Sequence, residues 1–297
     1  MLTNIEDVKS IVIDCYRKFK SHVYYSNNLQ KVRLKISEFE QHPEEMDKRI
    51  NVLSDIIYNE SEKGWNELLN SVSYYVLPKI SIAQTSSQRP QNDEQIISNC
   101  SSDIKIDKVN FFVDVPVEIY ILDTLWTVFA GKLIVEKHIF NGEVCANRLN
   151  KKIYNSKEKS IVDAIDFKNL SIYYPYFKGY KRWKNRAIQC LEKQYDAKFD
   201  STLISLDLTS YFYSANVNFD YIRELLVTED DKRYDEFSFL TASIKKLYSG
   251  ATQSGPKESI SLRSPFSSSS HAFVYMILPT ILPSSSSTNA SSGIKSG

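Results

Sequence analysis

The segment LISLD (Leu203–Asp207) combines a core-forming strand with a carboxylate at its end. In a strand, Leu203, Ser205 and Asp207 share one face, while Ile204, Leu206 and Leu208 share the other. The second face is a good core surface. The first delivers a carboxylate to the strand's C-terminal edge, where open sheets present ligands. A hard oxygen donor on a rigid strand suits a Mg²⁺ site for phosphoryl transfer, provided that further carboxylates join it. An Asp after an apolar strand is also an ordinary turn starter, accepting from backbone amides two residues on. Tyr211, Phe212 and Tyr213 crowd in directly behind.

A second chemistry lies upstream. In FKGYKRWKNRAIQCLEKQY, five cations (Lys178, Lys181, Arg182, Lys184 and Arg186) come with no acid between them. Lys and Arg contacts to phosphates supply most non-specific nucleic-acid affinity; a solvated helix face is the other reading of such a run. Arg148, in CANRLN, is a phosphate contact or a salt-bridge partner.

Composition removes several alternatives. Only 8 glycines occur, and neither G-x-G-x-x-G nor G-x-x-x-x-G-K-[ST] is present. Cys15, Cys100, Cys145 and Cys190 are far apart without a C-x-x-C pair, which reads as separate thiols in a reducing compartment. Four scattered histidines form no metal-ligand cluster, and the net charge of +1 excludes no partner. Acids and lysines run through the first 20 residues, unlike a signal peptide, and no run of about 18 apolar residues predicts a membrane span. The expected location is cytoplasmic.

Four helices are expected in residues 1–80. The first opens on a Thr3/Glu6 capping box and carries Ile5, Val8, Ile11, Val12, Cys15 and Phe19 at helical spacing. The second carries Leu29, Val32, Ile36 and Phe39. The third starts at Pro43, with Met46, Ile50, Leu53 and Ile57 on one face. The fourth is expected from about Gly64 to Val76. Residues 81–103 read as a polar linker. Within 104–248, Phe111–Val113 predicts a strand and Pro116 opens a buried helix through Ile119, Leu122, Trp126 and Phe129 that ends at Gly131. The basic helix is expected to turn Tyr180, Trp183, Ala187 and Leu191 inward. Helices follow over FDYIRELL and YDEFSFLTASIKKLY. The Ser-rich segment 249–297 is expected to stay mostly disordered.

With these residues in view, the chain resembles the reverse transcriptases, the RNA-directed DNA polymerases. The shared pattern is an apolar strand, an Asp, four residues and an aromatic, here Asp207 and Phe212. Pro116 and Glu118, Asn147 to Leu149, and Pro175 to Phe177 with Tyr180 and Trp183 precede it in the order of the bacterial defence-associated and abortive-infection members. The match covers roughly residues 104–248. The resemblance implies that Asp207 and the Leu208 carbonyl bind Mg²⁺, and that Phe212 and Tyr211 lie against the incoming nucleotide. The flat ring of Phe212 then excludes a 2′-hydroxyl, the group that separates ribose from deoxyribose. Implied partners are an RNA template, a DNA primer and a dNTP, with no membrane. The implied fold class is α/β: a helical N-terminal region, then fingers and an incomplete palm sheet packed on helices.

The family pattern then breaks. ILPTILPSSSS resembles the start of its second palm element, but Ile281 replaces a glycine that admits close backbone approach. The aromatic-x-Asp-Asp element is absent, and Asp230 and Asp231 of TEDDKRY read as a solvated loop or helix start. The expectation is a truncated or frameshifted reverse transcriptase of antiphage type, inactive alone. The alternative is a non-catalytic module that binds RNA or a partner. A partner chain or a homo-oligomer is left open as the source of the missing carboxylates.

Overall fold

Residue Val117 begins the central helix of the core. A computed structural model describes residues 4–25, 30–82, 104–137, 172, 176–202 and 218–254. Its elements are helices α1 (Ile5–Tyr25), α2 (Gln30–Glu40), α3 (Pro43–Tyr58) and α4 (Glu62–Leu69), strands β1 (Ser73–Ile82) and β2 (Ile104–Asp114), and helices α5 (Val117–Glu136), α6 (Tyr176–Asp196), α7 (Phe219–Leu226) and α8 (Tyr234–Ser254).

Helix α5 is apolar on every side, the signature of a helix surrounded by protein. Ile119, Leu122, Trp126 and Phe129 are buried, as expected, and so are Ile121, Leu125 and Val128 on its other faces. It continues past Gly131, its expected end, to Glu136. An interior glycine costs about 1 kcal/mol relative to Ala, and the buried Leu133 and Ile134 beyond it favour continuing.

Helices α1 and α3 pack on one side of this axis and α8 with α7 on the other. Val8, Ile11, Val12, Cys15 and Phe19 form the inner face of α1, with Phe19 stacked on Tyr120 at 4.9 Å between ring centroids. On the opposite side Trp126 donates from Nε1 to Thr241 Oγ1 (3.0 Å), and Phe237 stacks against Trp126 and Phe129.

Local signals fix the helix ends. The cap of α1 is Asn4, whose Oδ1 accepts from Asp7 N–H at 2.9 Å; Thr3, the expected cap, lies outside the described residues. Pro43 opens α3 as expected. Ser61 caps α4 by accepting from Gly64 N–H, so this helix starts earlier than its apolar residues suggest.

The fold class departs from the expected one. Helix dominates the described residues, and their strands are β1 and β2 alone, paired antiparallel from Ser73↔Asp114 to Ile82↔Ile104 with an irregularity at Lys79/Ile80. This is not an α/β fold with a palm sheet. Helix α4 stops at Leu69, and Val76 and Pro78, expected in or just beyond it, belong to β1. Strand β2 extends the expected Phe111–Val113 strand and takes in residues up to the edge of the expected linker. The LISLD strand lies outside the described residues.

Ion pairs fasten the ribbon and the bundle. Lys31 and Lys35 of α2 both bond Asp114 at the foot of β2, at 2.9 and 2.7 Å. Burial pushes the Asp114 carboxyl up, but the two ammonium groups outweigh it and hold the pKa below the usual carboxylate value. Arg49 of α3 donates to both carboxylate oxygens of Glu118 at 2.6 and 2.8 Å, with its guanidinium 4.5 Å from the Phe39 ring centroid.

Candidate nucleic-acid interface

Helix α6 carries the five cations singled out in the sequence, and among the described residues it makes few contacts with the core built around α5. Its sequence is a good helix former, with no interior proline. It ends where Lys198 enters the left-handed region (φ 63°), a conformation usually taken by glycine or asparagine at this place. Three backbone bonds close the end: Ala197 N–H to Lys193 O, Lys198 N–H to Tyr195 O and Phe199 N–H to Gln194 O.

Lys178, Lys181, Arg182, Lys184 and Arg186 are all exposed. The two aromatics among them are exposed as well: Tyr180 retains 60% of its accessible surface and Trp183 49%. This departs from the expectation that they turn inward. The amphipathic spacing is real, but the stripe is only partly covered: Leu191 and Ala187 are half-buried. Tyr180 and Trp183 lie 5.7 Å apart with their planes tilted by 37°.

Helical spacing gives each ring a cation one turn on. Lys184 is four residues from Tyr180, and Arg186 is three from Trp183, so each pair shares a strip of surface. Lys181 and Arg182 extend the positive charge around the flanks. Such a surface can attract phosphates from several directions and offers two π-faces between them. Sequence reasoning missed Tyr180 and Trp183 as contact residues because an aromatic at helical spacing reads first as core; their interleaving with cations was the available signal.

The remaining predicted residues are not brought into view. Asp207, Leu208, Tyr211, Phe212 and Arg148 lie outside the described residues. Among the described residues no three His, Cys, Asp or Glu side chains converge to hold a metal ion. Asp230 and Asp231 sit in the turn between α7 and α8, as expected. Asp231 accepts from the Arg233 backbone and guanidinium, and Arg233 also reaches Glu136 at the end of α5. The Arg233 hydrogen bonds hold the Asp231 carboxyl down at about 2 against the smaller opposing effect of burial. This pair is a structural clamp.

A cavity of about 120 Å³ beside Arg49, Leu53, Leu68 and Glu118 has its charged groups already engaged with each other. It is smaller than the roughly 300 Å³ at which small-molecule sites begin. Among the described residues, no helix is long and apolar enough to cross a membrane. Comparison of the chain with protein-family profiles, with curated proteins and with solved structures finds no match.

Proposed function

We propose that the chain belongs to the reverse-transcriptase lineage, whose intact members add deoxynucleotides to a DNA 3′ end on an RNA template with Mg²⁺, and that this chain, without the aromatic-x-Asp-Asp element, holds metal and nucleotide but is inactive alone. The observation that carries this reading is the order of its sequence elements. Pro116 and Glu118, the Asn147–Leu149 element, the Pro175–Trp183 segment and Asp207 with Phe212 occur in succession. In this reading Asp207 and the Leu208 carbonyl bind the metal, and Phe212 with Tyr211 lies under the sugar. A bound Mg²⁺ supplies charge stabilisation at the transferring phosphate. The setting is cytoplasmic and the role antiphage defence.

The test measures retention of labelled dTTP on the chain assembled with poly(rA)–oligo(dT), with and without Mg²⁺. Retention that needs Mg²⁺ is expected, lost in Asp207→Asn, with UTP gaining access in Phe212→Val. Equal retention by the wild type and Asp207→Asn overturns the site assignment.

The exposed cations of α6 favour a second reading, a module that binds RNA without polymerising on it. It predicts template binding that weakens steeply with salt and no Mg²⁺-dependent dTTP retention.

A further inference from the structure

The geometry points to α6 as a stacking platform for unpaired bases: Tyr180 and Trp183 take base faces while Lys181, Arg182, Lys184 and Arg186 take the phosphates of the same single strand. This goes beyond the polymerase reading, since it requires no catalytic carboxylate.

Three observations support it together. First, both rings stand exposed on α6, although tyrosine and tryptophan are costly to leave in water. Second, the surrounding charge is of one sign. From Lys178 to Arg186 there are cations and no acid, so a polyanion is the complementary occupant. An apolar protein groove would prefer a stripe of aliphatic residues, and from Lys178 to Arg186 the exposed apolar groups are the two rings, set among five cations. Third, each ring has its own cation one turn away, Tyr180 with Lys184 and Trp183 with Arg186. Groups of this kind, aromatic faces set in a positive track, hold single strands with little sequence preference. A duplex keeps its base faces stacked internally and can engage only the cations. The class of ligand is therefore single-stranded nucleic acid.

Tryptophan fluorescence provides a clean signal. The chain has three tryptophans, and Trp65 and Trp126 are 1% and 0% exposed, which leaves Trp183 as the one accessible to a stacking base. Oligo(dT)20 is titrated into the full chain, with anisotropy of a 5′ label read in parallel, at several salt concentrations. Quenching is expected together with binding. Tyr180→Leu and Trp183→Leu each weaken affinity by about tenfold, and a 20-base-pair duplex binds more weakly and is indifferent to both changes. Each of Lys181→Ala, Arg182→Ala, Lys184→Ala and Arg186→Ala lowers the slope of log K against log salt by about 0.7. Both rings are exposed, so an unchanged unfolding midpoint checks that the variants fold.

Three outcomes overturn the inference. One is no binding at low salt. Another is binding in which single strand and duplex are equivalent and the ring variants are silent. The third is self-association through this face that oligo(dT)20 does not compete with. Loss of Mg²⁺-dependent dTTP retention with stacking intact fails the polymerase reading alone. Loss of the stacking signature with retention intact fails this inference alone.

Discussion

Replacing Arg49 with alanine removes the strongest polar tie between α3 and α5. Two charge-assisted bonds to Glu118 are lost, along with the guanidinium face over Phe39. The Glu118 side chain is 8% exposed, so its carboxylate stays behind in the protein without its cation. Breaking a fully buried pair this way costs about 3–5 kcal/mol. The Arg49 side chain is 35% exposed, so water reaches the vacated space and the electrostatic cost falls to about 2 kcal/mol. The lost cation–π contact adds about 0.5–1 kcal/mol. The expected destabilisation is about 3 kcal/mol. With an m-value of about 2 kcal/mol per molar urea, the unfolding midpoint falls by about 1.5 M. The reporter is fluorescence of Trp65 and Trp126, both buried in this core. Glu118→Gln keeps one acceptor for Arg49 and is expected to cost about half as much, with the double variant less than additive. An Arg49→Ala midpoint within about 0.2 M of wild type refutes the reasoning.

Gly64→Ala is expected to destabilise, although alanine is favoured over glycine in a helix by about 1 kcal/mol. A Cβ there would lie 2.5 Å from Ile56 Cγ1, and Ile56 is buried; thermal unfolding should show a lower Tm, and the loss should shrink when the same change is made in an Ile56→Ala background, which removes Cγ1. The Asp231 carboxyl, held at about 2, adds stability that is complete above its ordinary value of 3.8 and is lost as pH falls through 2. Asp231→Asn should therefore flatten the acid limb of a stability–pH curve between about pH 4 and 2 and cost about 1 kcal/mol at neutral pH, because the pair is partly screened. Thiol labelling followed by peptide mapping should modify Cys190 in the native chain and leave Cys15 protected until unfolding, since Cys15 is buried and burial, aided by the Asp14 charge, pushes its thiol pKa up.

Helices whose apolar residues repeat at the helical period were legible in the sequence: α1, α2, α3 and α5 place Ile11, Ile36, Ile50 and Trp126 in the core as expected. Their ends were less so. Asn4 sets the start of α1, and Ser61 that of α4, through single side-chain bonds that apolar spacing does not encode. The change from helix to strand after Leu69 was missed because Leu69 and Val72 continue a helical rhythm, whereas pairing with residues more than 20 positions away decides the outcome. For the site, the charge on α6 was legible and the exposure of its rings was not. Amphipathic spacing shows that a helix has an apolar face, but not whether the fold supplies a surface to cover it.

The position of α5 has a consequence for how the chain is made. Phe19 stacks on Tyr120, so the inner face of α1 waits for a partner roughly 100 residues further along. At about 5–20 residues per second of synthesis, that interval is ~5–20 s. During it Val8, Ile11, Val12 and Phe19 have only the neighbouring helices α2 to α4 to shelter them. The nascent N-terminal helices should then be clients of ribosome-associated chaperones, released once the segment through Glu136 has left the exit tunnel.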